Sequence, residues 1–173
     1  MMEGRRIRIF MVALMVAVLL LEGCGKEGEW KSPKQIADGQ VEVIMTGIKE
    51  KDPAIIMEQF CSYAKEQHSD LEGEIEEWID FVDGEIVSYD ITHSGRGGWN
   101  SEEMRGVTVE SIESRVEFKT STGKTYIFRH NAYNIYLDHP EYVGIVSIGL
   151  LDKDMYDPEK EDYPDEAVCF IDA

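Results

Sequence analysis

Positive charge is scarce in this chain: 17 Lys and Arg stand against 35 Asp and Glu, leaving a formal charge of −18 at pH 7. Nucleic-acid phosphates are bound by clusters of Lys and Arg, and no such cluster occurs, so a nucleic-acid partner is not expected. Cysteine is equally sparse. Three thiols cannot build a disulfide miniprotein, and none stands in a Cys-x-x-Cys pair, which removes the common zinc and redox motifs. His68, His93, His130 and His139 are scattered without ligand-type spacing, so neither a metal nor another cofactor is expected. The Asp152, Asp154, Asp157 series fails as a calcium loop because Asp157 stands where the sharp turn needs Gly and Tyr163 where the bidentate Glu belongs. Ser94 to Gly98 has the composition of a phosphate loop but lacks its Lys-Ser/Thr. Also missing are a Gly-x-Ser-x-Gly elbow and any identifiable base beside Cys61, so nucleophilic catalysis has no motif to support it. What the chain does have is apolar content. With 43% hydrophobic residues in 173, it is no disordered acidic tail, and its length suits one compact domain.

The apolar residues begin with a leader. Arg5, Arg6 and Arg8 precede an uninterrupted apolar run of 13 residues, Ile9 to Leu21. A spanning helix needs roughly 20, so the order of basic and apolar regions reads as a secretory signal. Leu21-Glu22-Gly23-Cys24 follows at once and resembles the lipobox of bacterial lipoproteins, with Glu22 departing from its preference for small uncharged residues. The resemblance implies cleavage between Gly23 and Cys24 and lipidation of Cys24 by a diacylglyceryl group, with palmitate-type chains holding the protein at the extracytoplasmic face of the cell membrane. Each buried CH₂ contributes about 0.8 kcal/mol, and two or more chains give a stable anchor. The mature chain would carry 14 basic and 33 acidic residues, a net −19, which an anionic bilayer repels. The expected organisation is a signal peptide over 1–23, a tether over 24–31, a folded domain over 32–151 and an acidic segment over 152–173.

Within the domain, Ser32-Pro33 reads as a helix start, and Ala37, Val41, Ile44, Met45 and Ile48 form one apolar stripe, weakened by Gly39 and Gly47. Asp52-Pro53 starts a second helix, expected to run toward Tyr63. A third starts at Ser69 or Asp70 and carries Leu71, Ile75, Trp78, Ile79 and Val82 on one face up to Gly84. The period then changes to two. Val87, Tyr89 and Ile91 predict inward positions of a strand, His93 to Gly106 a polar loop, and Val107 to Val109 and, more clearly, Ile112 to Lys119 further strand. Ser121-Thr122-Gly123 predicts a hairpin turn into Thr125–Leu137, with a bulge near Asn131 where the apolar phase slips. Val143 to Leu151, apolar on both faces, predicts an interior strand.

Helices followed by antiparallel strands define an α+β domain. The openings W-K-S-P-K-Q-I-A-D from Trp30, K-E-K-D-P from Lys49, E-Q-F-C-S from Glu58, F-V-D-G-E-I-V-S-Y-D from Phe81 and S-T-G-K-T-Y from Ser121 resemble uncharacterised lipoproteins of clostridial-type Gram-positive bacteria that carry a domain of unknown function. That resemblance covers about Trp30 to Leu151 and implies no activity. The element order is also similar to cystatin-like and nuclear-transport-factor-2-like folds, in which a curved sheet wraps a helix. Such a fold implies a pocket between helix and sheet, here expected at Trp78, Tyr89, Tyr126, Phe128 and His130, although these aromatic residues also suit a filled core. Cys61 and Cys169 either form a disulfide, which in the chain-entropy model contributes roughly 4–5 kcal/mol, or remain free. The expected role is a non-enzymatic module binding a protein, peptide or small ligand. The alternatives are a cell-surface enzyme or cavity protein working at the His130 and Tyr126 face, and an interaction protein whose acidic helices meet a basic surface.

Overall fold

A computed structural model of the chain describes residues 31–155 and 168–172. The leader, Gly23, Cys24, the tether through Trp30 and the acidic residues 156–167 lie outside the described residues.

The first helix, α1 (Pro33–Glu50), starts where Ser32 and Gln35 cap each other: Gln35 N–H donates to the Ser32 hydroxyl and Ser32 N–H donates to the Gln35 side chain. Its apolar stripe is buried as the spacing requires. Asp52 caps the short α2 (Pro53–Met57) by accepting from Ala54 N–H. The expected continuation to Tyr63 does not form. Phe60 instead bridges to Ile145, Cys61 N–H donates to the Ile145 carbonyl, and Ile145 N–H donates to that of Gln59. These backbone groups are taken by a strand end, so the helix stops and a separate α3 (Ser62–Gln67) begins. Gly144 makes the junction feasible, because at φ +124° a Cβ there would lie 2.8 Å from the Cys61 nitrogen. Asp70 then accepts from Gly73 N–H and opens α4 (Leu71–Asp80).

The two glycines of α1 have opposite physical meanings. A Cβ at Gly47 would come within 2.5 Å of Ile56, so this glycine lets α2 pack closely, whereas Gly39 has open space around it. Gly39→Ala is therefore expected to stabilise the domain by about 0.5–1 kcal/mol. Gly47→Ala should destabilise it by about 1–3 kcal/mol through overpacking. Urea unfolding of both variants checks the contrast, and equal effects would contradict it.

Five strands follow: β1 (Ile86–Glu102), β2 (Gly106–Thr120), β3 (Thr125–Tyr136), β4 (Gly144–Asp152) and β5 (Val168–Asp172). They lie in chain order, each antiparallel to its neighbour, in one open sheet. Three sequence expectations change here. Residues His93 to Glu102 are strand rather than loop, because they pair with β2 down to Gly106, with register shifts absorbing the irregular Gly-rich stretch. Val87 is 62% exposed, since a shift between Ile86 and Ser88 breaks the inward alternation. The domain also continues past Leu151: Val168 to Asp172 pair with β4, so the last five described residues belong to the sheet and not to a solvated acidic segment. The expected irregularity near Asn131 is present, between Asn131 and Ala132 against β4.

The helices cover one face of the sheet, which supplies Ile112, Val116 and Phe118 of β2, Tyr126, Phe128 and His130 of β3, and Ile148 and Leu150 of β4 to the core. The fold class is α+β. The other face carries no helix among the described residues. No described helix is long and apolar enough to cross a membrane.

A candidate functional site on the open face of the sheet

The residues expected to line an interior pocket are packed instead. Trp78 sits edge-on to Phe128 with ring centres 5.8 Å apart, Tyr126 stacks on Phe118 at 5.3 Å, and His130 stacks on Phe128 at 5.8 Å. Trp78, Tyr126 and Phe128 are fully enclosed and His130 is 1% exposed. Asp83 N–H donates to the Tyr126 hydroxyl, which in turn donates to the Phe81 carbonyl. His130 Nε2 donates to Gln40 Oε1 at 3.0 Å, while its Nδ1 has no partner among the described residues, and burial pushes the imidazole down to about 4. Tyr89 stands apart at the α1–β1 seam. Its hydroxyl donates to the Glu42 carboxylate at 2.8 Å, which pushes the phenol up, and Lys49 lies 5.0 Å from the ring centre. The space between helices and sheet at Trp78, Tyr126, Phe128 and His130 is thus core, not cleft.

The Cys61–Cys169 bridge is not formed, and both thiols are free. Cys61 lies beside Ile145 and its sulfur accepts from Ala64 N–H, whereas Cys169 pairs with Leu150. Those positions are five residue steps apart along β4, about 17 Å of strand, far beyond the reach of a disulfide. Among the described residues no group of three or more His, Cys, Asp or Glu is arranged to hold a metal. Asp152 and Asp154 act structurally. Asp152 is buried 3.3 Å from Lys124 Nζ, and Asp154 accepts from Thr125 N–H.

Concavity occurs on the uncovered face. A groove of about 490 Å³ runs over β2 to β5, with Arg115, Arg129, Gly149 and Phe170 along one rung of the sheet. The pairing register sets this row: Arg115 lies opposite Arg129, Arg129 opposite Gly149, and Gly149 opposite Phe170. Ile127, Leu151 and Val168 form the adjacent apolar row. Asn131 and Ser147, joined at 3.1 Å, form the polar row on the other side. Gly149 has no side chain, and the Phe170 ring lies over it beside the cations. A Cβ there would lie 2.8 Å from Phe170 Cδ2.

The arginine pair is electrostatically unusual. Opposed like charges on neighbouring strands are unfavourable, with Cβ atoms about 4.5–5.5 Å apart. Neither guanidinium has an ion-pair or hydrogen-bond partner among the described residues, although the chain has 35 carboxylates to offer. The nearest acidic residues along β2 are already occupied: Glu113 meets His93 at 2.9 Å and Glu117 meets Lys153 at 2.8 Å. Sequence reading missed this site because Arg115 and Arg129 are distant in the chain. Counting outward from the Ser121-Thr122-Gly123 turn would have placed them opposite each other.

The molecule is thus an α+β domain whose covered sheet face is core and whose open face carries a groove with two cations at one end. The chain belongs to the family described as a domain of unknown function (DUF5104), whose model matches residues 43–153. That span includes Arg115, Arg129 and Gly149 but stops before β5. No curated protein matches the chain.

Proposed function

We propose that the protein is a lipid-anchored extracytoplasmic binding module, tethered to the cell membrane through Cys24 and presenting the open face of its sheet to a ligand. The observation that carries the anchoring is the order Arg5-Arg6-x-Arg8, apolar Ile9–Leu21, then Leu21-Glu22-Gly23-Cys24. Kinship with clostridial-type lipoproteins, and a distant likeness to cystatin-like or nuclear-transport-factor-2-like folds, belong to the same reading. The binding role is supported by a groove of ligand-sized volume that mixes apolar floor with a few polar groups. An enzyme or cavity protein working at His130 and Tyr126 finds less support, since both side chains are enclosed by the core.

Anchoring is tested by intact-mass analysis and membrane fractionation of the protein made in a lipoprotein-processing bacterium. The mature product should begin at a diacylated Cys24 and sediment with membranes, and Cys24→Ala should lose both the lipid mass and membrane association. A mature product with an unmodified Cys24 thiol, or one that retains Met1, would overturn the proposal.

A further inference from the structure

The groove's layout identifies the chemistry of what it holds. We infer that the open face binds a diffusible amphipathic organic anion, its carboxylate or phosphate bridging Arg115 and Arg129 and its apolar body packing on the Phe170 ring above Gly149. This inference rests on the binding-module reading above and narrows it to one ligand class.

Three independent features of the same rung converge on that class. First, the two guanidiniums are cross-strand neighbours with no carboxylate partner among the described residues, and an anion between them replaces repulsion with two charge-assisted, fork-shaped contacts. Second, Gly149 lets the Phe170 ring lie down over its backbone, with Cδ2 2.8 Å from where a Cβ would stand, so an apolar ring face sits next to the cations for a ligand body to pack on. Third, the far end is greasy and uncovered, with Phe170 57% and Val168 43% exposed beside Ile127 and Leu151. From Arg115 to Gly149, over which the Phe170 ring lies, the rung spans two strand spacings, about 10 Å. Charge at one end and apolar surface at the other, over that length, matches a small amphiphile.

The rest of the molecule constrains the ligand further. A net charge of −18 gives no long-range attraction for anions, and screening confines the pull of the arginines to about a Debye length, roughly 8 Å at physiological salt. A head group alone therefore gains little, and the apolar contact is needed as well. The same acidity disfavours an anionic bilayer as the source, since a surface of like charge would have to approach the whole domain.

The test uses the mature, lipidated protein in phosphatidylcholine nanodiscs and isothermal titration, with empty discs as the blank. The probes are octyl phosphate, octanoate, uncharged octanol and inorganic phosphate. Octyl phosphate and octanoate should bind, with octanol and inorganic phosphate at least tenfold weaker. The double variant Arg115→Ala/Arg129→Ala should weaken octyl phosphate binding at least tenfold, about 1.4 kcal/mol. Phe170→Ala should weaken it as well, whereas Lys119→Ala, which removes a cation on the same face outside the groove, should not. The double variant breaks no ion pair among the described residues, so its unfolding midpoint should be at least that of the unaltered protein, and a lower midpoint counts against the arginines being unpaired. If octanol binds as tightly as octanoate and only Phe170→Ala weakens it, the anion assignment is wrong while the groove remains a binding site. If no probe's binding responds to either groove variant, the site itself is wrong and the broader reading loses its ligand face. Loss of octyl phosphate binding in discs containing phosphatidylglycerol would overturn the diffusible source in favour of a bilayer lipid.

Discussion

Trp78→Ala is expected to destabilise the domain by about 3–5 kcal/mol, as for other enclosed aromatic residues. The indole is fully buried on α4 and meets Phe128 edge-on at 5.8 Å, so truncation removes one side of the contact between helix layer and sheet. Domains of this size have total stabilities of about 5–15 kcal/mol, and a loss of this size leaves many of them near the unfolding threshold. Trp78→Phe provides the informative comparison. Nε1 has no hydrogen-bond partner among the described residues, so the indole carries a buried polar group that phenylalanine would eliminate. The phenylalanine variant should therefore lose far less than the alanine variant in urea unfolding. Equal losses would mean that Nε1 is satisfied in solution.

Acid should destabilise the fold through His130, by roughly 3 kcal/mol in all. Burial is the cause that lowers this imidazole from 6.5 to about 4, and no charge among the described residues offsets it. Ser114 and Ile148 lie across from it on the adjoining strands and Gln40 meets Nε2 from α1, none of them an ion. The unfolded chain therefore binds a proton that the folded chain refuses between about pH 4 and 6.5, and stability rises with pH through that window. The contribution is whole above pH 6.5, declines as pH falls, and is gone below about 4, at about 1.36 kcal/mol for each pH unit of the difference. The many carboxylates titrate over part of the same range, so the measurement must be differential. Between pH 7 and pH 4 the unaltered protein should lose roughly 3 kcal/mol more than His130→Gln, which keeps a polar side chain without the titration. Parallel stability curves for the two would refute the assignment.

The helices were legible because their signals are local. Ser32, Asp52 and Asp70 each act through a backbone N–H two or three residues ahead, and the α1 stripe repeats at helical spacing. The errors arose where a distant partner decides the local structure. Phe60 and Cys61 leave the helix because Ile145 claims their backbone, and His93 to Glu102 become strand because β2 is there to pair with them. Val168 to Asp172 were hidden for a different reason. Val168 to Ile171 are an unbroken apolar run, but a short one that follows a stretch of acidic residues, and charge density argued for solvent. The interior aromatic residues were correctly placed on inward faces, yet facing inward describes a core as well as it describes a cleft. The open-face groove was invisible to any short-range reading, since its rung takes one residue from each of four strands.

Strict chain order in the sheet also has a temporal consequence. Neighbouring strands are neighbours in sequence, so the hairpins can close locally and the sheet can grow from one side to the other. Val168 and Phe170, which form the apolar end of the groove, come from the final strand. A chain emerging from its N-terminus would have its helices and four strands in hand before that wall exists. A product truncated before Val168 would keep most of the core residues and lose the apolar wall of the groove.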